Sequence, residues 1–153
     1  MRMTCFLIGH RDAQESVFFL LKQAIEQHIT SYGVTEFVVG HYGAFDRMAA
    51  RAVREAKLLH PNVRLILLLP YYQSDAASIE DGFDGTIYPN GQESVPKRAA
   101  IVRANQFMIA HCDFLICYQQ HIGSNVREFV DYARKLYQRT GKPHIINLAD
   151  HSD

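Results

Sequence analysis

The sequence predicts an α/β fold in three layers, with a mainly parallel sheet of about five strands packed between helices. Three observations predict it. Apolar, β-branched runs alternate along the chain with segments of helical spacing. The run Arg64-Leu65-Ile66-Leu67-Leu68-Leu69 is continuously apolar after its first residue, as a strand covered on both faces requires. Three such runs stop at small or polar loops: at Gly9-His10-Arg11, at Gly40 to Asp46, and after Tyr118 on the way to Gly123-Ser124-Asn125. In a parallel sheet these exits open on one edge, where unpaired N–H groups and helix N-termini attract an anion such as a phosphate.

Thr4 to Ile8 reads as the first buried strand. Ala13 to Ser31 follows as a helix, with Val17, Leu20, Leu21, Ala24, Ile25 and Ile29 near helical spacing and Tyr32-Gly33 closing it. Thr35 to Val39 is the second strand, and Asp46 to Leu59 the second helix, with Met48, Ala49, Ala52, Val53 and Ala56 on one side and Pro61 beyond its end. The run 64–69 is the third strand, closed by Pro70. From Tyr71 to Pro96 the chain is rich in Asp, Gly, Ser, Pro and Asn, which predicts a long loop, of the kind that serves as a lid or binding loop, with a short helix near Ser74 to Ile79. Lys97 to His111 resumes helical spacing, Asp113 to Tyr118 is the fourth strand, and Asn125 to Thr140 is a helix ended by Gly141 with Pro143 behind it. His144 to Leu148 is the last strand. The simplest strand order is 3-2-1-4-5, which places the switch point between the strand ending at Ile8 and the one ending at Tyr118.

With 153 residues, 48% of them hydrophobic and 21% charged, the chain has the length and composition of one ordered domain spanning 1–153. Sixteen basic residues balance sixteen acidic ones, so no global field draws the protein to nucleic acid or to an anionic membrane, and any anion site is local. On this ground nucleic acid is not expected as a partner. The three cysteines, Cys5, Cys112 and Cys117, lack metal-ligand spacing and read as buried thiols in a reducing compartment. The first apolar run ends at Gly9, too short for a signal-peptide core or a membrane span, which points to a cytoplasmic protein with no membrane partner.

The loops carry the candidate chemistry. Gly9 lets a ligand approach the backbone, His10 stands beside it, and Arg11 can fork onto a phosphate or carboxylate; equally, the tripeptide is a tight turn with Arg11 paired to Asp12 or Asp46. Gly40 to Asp46 offers Gly40 and Gly43 before a helix whose expected N-cap is Asp46. Its spacing is neither the dinucleotide fingerprint nor a P-loop, so it reads as a capped helix start or as a phosphate cradle. Gly123-Ser124-Asn125 precedes a helix that Ser124 or Asn125 would cap, with Glu128 one turn in, facing the crevice. The eight histidines form no paired zinc motif, no G-x-S-x-G elbow occurs, and no metal or cofactor is expected.

Taken in order, Ile8-Gly9-His10-Arg11, then 40–47, Leu68-Leu69-Pro70-Tyr71, Ile87-Tyr88-Pro89 with Val95-Pro96, 103–108, Gly123-Ser124-Asn125-Val126, and Tyr132-Ala133 with Gly141-Lys142-Pro143 resemble the YpsA-like branch of the SLOG superfamily. The resemblance covers nearly the whole chain. It implies a Rossmann-like fold that binds a nucleotide or nucleotide-derived ligand at these loops, and kinship with the LONELY GUY phosphoribohydrolases and with the DNA-processing protein DprA. In the phosphoribohydrolases, an arginine of an R-K-x-x-M helix and a glutamate after a G-G-x-G-T loop carry cleavage of the N-glycosidic bond. Here the motif arginine falls on Ala104, with Arg103 one step away, and the glycine-rich pattern has become Ser124-Asn125-Val126, followed by Arg127-Glu128. Asn125 adds a side chain where the backbone meets a phosphate, and moving an arginine by one helical position turns it by about 100°.

The first expectation is therefore a nucleotide-binding domain with Gly9, His10, Arg11, Gly40, Gly43, Asp46, Gly123, Ser124 and Asn125 at the ligand. The alternative is a nucleoside 5′-monophosphate phosphoribohydrolase, in which Glu128 activates water or stabilises the sugar cation and Arg103 replaces the missing arginine. A DNA-interaction module is the third reading. A homodimer is implied by analogy with the phosphoribohydrolases.

Overall fold

Alternation along each apolar run decides which layer a side chain enters. In the computed structural model, which describes residues 2–71, 82–121 and 125–151, the sheet strands are β1 (Thr4–Gly9), β2 (Glu36–Val39), β3 (Arg64–Leu68), β4 (Gly85–Ile87), β5 (Phe114–Tyr118) and β6 (His144–Asn147). The helices among the described residues are α1 (Val17–Thr30), α2 (Ala44–Leu59), α3 (Lys97–His111) and α4 (Asn125–Thr140). Cys5, Leu7, Phe37, Val39, Leu65 and Ile116 face one side, where they pack with Leu21 and Ile25 of α1 and Ala49 and Val53 of α2. Their alternate neighbours Phe6, Ile8, Val38, Ile66, Leu115 and Cys117 face the other side and pack with Met108 of α3 and Val130 of α4. Both faces are thus covered, and the strands are apolar throughout because neither face meets water.

All pairings are parallel, in the order β4-β3-β2-β1-β5-β6. The five expected strands fall in the expected order; the sixth, β4, lies within the segment read as loop. Its three residues pair with Ile66 to Leu68 at the sheet edge and are half-buried or exposed, so they carry neither length nor alternation as a signal. The short helix expected near Ser74 to Ile79 lies outside the described residues.

Helix boundaries moved for identifiable reasons. The expected start of α1 at Ala13 gives way to Val17: Arg11, Asp12, Gln14, Glu15 and Ser16 are exposed and have no apolar face to bury, and the chain turns there through Ala13 N–H to the His10 carbonyl (3.3 Å) and Val17 N–H to the Gln14 carbonyl (3.0 Å). α2 begins at Ala44, so its N-cap is Gly43 and not Asp46. The last strand ends at Asn147, and Leu148 opens a 3-10 turn that buries its side chain in the α1 and α2 layer. Gly33, at φ 73°, takes the left-handed conformation that lets the Val34 N–H reach back to the His28 carbonyl at 3.0 Å and close α1.

From β1 the chain builds outward through β2, β3 and β4, then crosses to the far side of β1 as β5. The C-terminal ends of β1 and β5, paired as far as Gly9 and Tyr118, therefore flank the switch point, and the loops leaving them part to form a crevice.

Candidate functional site

The crevice is a cleft of about 360 Å³, within the range of about 300–1,000 Å³ usual for small-ligand pockets. Its walls come from the β1 exit (Gly9 to Asp12), the β2 exit (Gly40 to Gly43 with Asp46), and one face each of α3 and α4. Leu68, Ile101, Val126 and Phe129 supply apolar surface, while Arg11, Asn105, Asn125 and His121 supply polar groups.

Each glycine here is required by a packed neighbour. A Cβ on Gly9 would lie 2.5 Å from two ring carbons of Phe45, the buried residue that seats the first turn of α2 on β1. One on Gly40 would meet the Asp46 carboxylate at 2.9 Å. One on Gly43 would meet the Arg11 Cα at 2.7 Å, because the two loops run against each other where the Ala44 N–H donates to the Arg11 carbonyl at 2.8 Å. The glycines thus admit Phe45, Asp46 and Arg11 to their places.

Asp46 sits in the first turn of α2 and reaches back, its Oδ2 accepting the Tyr42 N–H at 3.0 Å. A carboxylate in this turn also faces the positive end of the helix dipole. Desolvation nevertheless dominates and pushes the half-buried carboxyl up to about 6, against the Tyr42 N–H and the charges of Arg11 and Arg47. It is therefore a proton donor or acceptor poised near neutrality inside the cleft.

Arg11 forms no ion pair among the described residues; neither Asp12 nor Asp46 takes it up, and its exposed guanidinium lines the cleft. His10, by contrast, is 4% exposed and is engaged through Nε2. Its Nε2 accepts the backbone N–H of Gln120 at 2.8 Å and of His121 at 3.3 Å, joining the β1 exit to the β5 exit. Such a nitrogen must be unprotonated, and burial, reinforced by His121, lowers the pKa of His10. Asn147 holds the same β5 exit from the other side, accepting the Gln119 N–H at 3.1 Å and donating to its carbonyl at 3.0 Å. The Tyr42 hydroxyl is buried without a well-formed hydrogen bond, and burial and the adjacent Tyr71 raise its pKa.

Of the residues expected at the ligand, Gly9, His10, Arg11, Gly40, Gly43, Asp46 and Asn125 all line the cleft. Gly123 and Ser124 lie outside the described residues. Glu128 is exposed in the first turn of α4, and Arg103 is exposed on α3; neither lines the cleft, whereas Ala104 and Asn105 do. Ile101, Asn105, His121 and Phe129 were not singled out from sequence. The 101, 104, 105 spacing of one helix face was the signal available for α3. Among the described residues no cluster of His, Cys, Asp or Glu is arranged to hold a metal. The three cysteines are free and buried, with burial pushing the thiols of Cys112 and Cys117 up to about 12. No helix among the described residues is long and apolar enough to cross a membrane.

No protein-family model matches the chain, and no curated protein sequence matches it. Among solved structures it is similar to DNA processing protein A from Helicobacter pylori, described for its unique single-stranded DNA binding mode, with a TM-score of 0.61 and 16% identity over 98% of this chain and 71% of that one. It is also similar to DNA processing protein A (DprA) from Streptococcus pneumoniae, with a TM-score of 0.53 and 14% identity over 97% of this chain and 60% of that one. The chain thus shares the Rossmann-like α/β fold of these DNA processing proteins, and at such identities the likeness is one of fold.

Proposed function

We propose that the protein is a SLOG domain of the YpsA-like type that binds a nucleotide or nucleotide-derived ligand in the cleft at the C-terminal edge of the sheet. The observation that carries this reading is the exposed guanidinium of Arg11, without an ion pair among the described residues, at the rim of an apolar-walled cleft at the switch point. The ligand's base and sugar enter between Leu68, Ile101 and Val126, and its phosphate meets Arg11. The single-domain organisation, cytoplasmic setting and homodimer implied by the resemblance belong to the same reading, and light scattering decides the last. A nucleoside phosphate present at about 100 times its dissociation constant stabilises by about 2.7 kcal/mol, or a melting shift of about 5–10 °C for a domain of this size. Arg11→Ala removes most of that shift and lowers the unliganded melting temperature by no more than about 3 °C, since the exposed side chain makes no ion pair among the described residues and gives up only its attraction to Asp46. Absence of a shift with every nucleoside phosphate at millimolar concentration refutes the reading.

One observation favours an enzymatic version, a nucleoside 5′-monophosphate phosphoribohydrolase: the Asp46 carboxyl, at about 6, is placed to move a proton inside the cleft. Water then replaces the base at the anomeric carbon, and the base leaves protonated. Assayed as base release from AMP, Asp46→Asn abolishes turnover if Asp46 serves as the acid or base. Loss on Glu128→Gln or Arg103→Ala instead returns the role to those two residues.

The zero net charge is no bar to a nucleic acid ligand, because the charge that matters is local; the likeness to a single-stranded DNA-binding fold keeps a strand of nucleotides among the ligands to be tested.

A further inference from the structure

Beside the cleft, along the outer face of α2, lies a second groove of about 540 Å³. Arg47, Arg51 and Arg54 line it at i, i+4 and i+7, a row about 10 Å long on one helix face. Two of the three guanidiniums are held in place. Arg51 lies 3.9 Å from the Phe18 ring centroid and pairs with Glu15, while Arg54 lies 4.9 Å from the Phe83 ring and donates to the Gly82 carbonyl at 3.1 Å. Arg47 is exposed and has no ion pair among the described residues. Among the described residues, the carboxylates in the wall are Glu15, already engaged by Arg51, and Asp46. The described wall of the groove therefore carries more positive than negative charge in an electrically neutral chain. It also shares Gly40 and Asp46 with the cleft, so the two concavities join around the first turn of α2.

We propose that this arginine groove is a second anion subsite, taking a further phosphate group of a ligand whose base-bearing end occupies the cleft. Resting on the nucleotide reading of that cleft, it narrows the ligand class: an extended nucleotide with two phosphate groups in separate places, such as a phosphodiester-linked dinucleotide or the end of a single strand, in preference to a nucleoside monophosphate. Planar guanidiniums steadied on aromatic rings suit phosphate oxygens, and Arg47, without an ion pair among the described residues, can close on them.

The test is equilibrium titration of the full chain with AMP, 5′-phosphorylated diadenylate and a short oligo(dA) strand, at several salt concentrations, in the wild type and in Arg47→Ala. The variant exchanges an exposed helical side chain for the best helix former, so it folds. Diadenylate is expected to bind about tenfold more tightly than AMP, as one added charge-assisted phosphate contact gives. Arg47→Ala is expected to remove most of that gain and to lower the slope of log affinity against log salt by about 1, while AMP binding stays within about twofold. If the strand binds more tightly than diadenylate with the same dependence on Arg47, the second phosphate belongs to a strand; if the two are equal, a free dinucleotide suffices. If AMP binds but diadenylate gains nothing, or its gain survives Arg47→Ala, the second subsite is overturned and the nucleotide reading stands. If none of the three binds, both fall.

Discussion

Gly9→Ala separates a packing role from a ligand-access role at the mouth of the cleft. The new methyl would stand 2.5 Å from two ring carbons of Phe45 and 2.9 Å from a third, and that ring is 1% exposed, so it has no free space in which to retreat. Overpacking of this kind costs about 1–3 kcal/mol. Against it stands about 0.4–1 kcal/mol gained by restricting the unfolded chain, since Gly9 is an ordinary strand residue without positive φ. The net is a loss of about 1–2 kcal/mol, a fall in melting temperature of about 2–8 °C for a domain of this size. Differential scanning calorimetry of Gly9→Ala, Phe45→Leu and the double variant forms a cycle. The smaller leucine makes room for the methyl, so the double variant should be more stable than the sum of the two single losses predicts. Unchanged melting in Gly9→Ala, or strict additivity in the cycle, would refute the packing argument and return Gly9 to ligand access.

Gly43→Ala drives a methyl against the Arg11 Cα, a backbone atom that cannot swing aside, so a loss of about 2–3 kcal/mol in urea titration and loss of ligand binding are expected together. His10 supports the fold only while Nε2 is unprotonated. Because its pKa lies below the ordinary 6.5, its contribution is full above about pH 6.5 and is lost as pH falls through the lowered value. His28 and His41, also lowered by burial, add to this acid limb. His10→Phe keeps a ring but orphans two N–H groups. It should cost about 1–2 kcal/mol at pH 7.5 and flatten the stability profile below pH 6.5, as measured by urea midpoints. Asp46 works in the opposite sense: its raised pKa favours the folded protein while the carboxyl is protonated, and that stability is lost as pH rises from 3.8 through about 6. Asp46→Asn should therefore exceed the wild type above pH 6 by on the order of 1 kcal/mol, an advantage that fades toward pH 4; a constant difference across that range would contradict the burial of the charge.

The strand core was legible because burial on both faces leaves a local imprint, as in Arg64 to Leu69. β4 was not, because Gly85-Thr86-Ile87 is held by its partner strand and has no pattern of its own. The start of α2 at Ala44 depends on Phe45 docking under Gly9, a contact across 36 positions that no window around Asp46 contains. The loops at the cleft were legible as loops, but the reason for their glycines was not: each answers to a side chain or backbone brought in from elsewhere in the chain. Likewise the absence of an ion pair from Arg11 to Asp12 or Asp46 emerged only once both had been placed in space, and the α3 and α4 residues lining the cleft became visible only when those helices were packed on the sheet.

The outermost strands of the sheet, β4 and β6, are only three and four residues long. A stray chain seeking an exposed ladder to extend finds a rail too brief to hold it. Protection against fibril growth at these margins thus comes from brevity, a device that depends on strand length and not on the net charge of the chain.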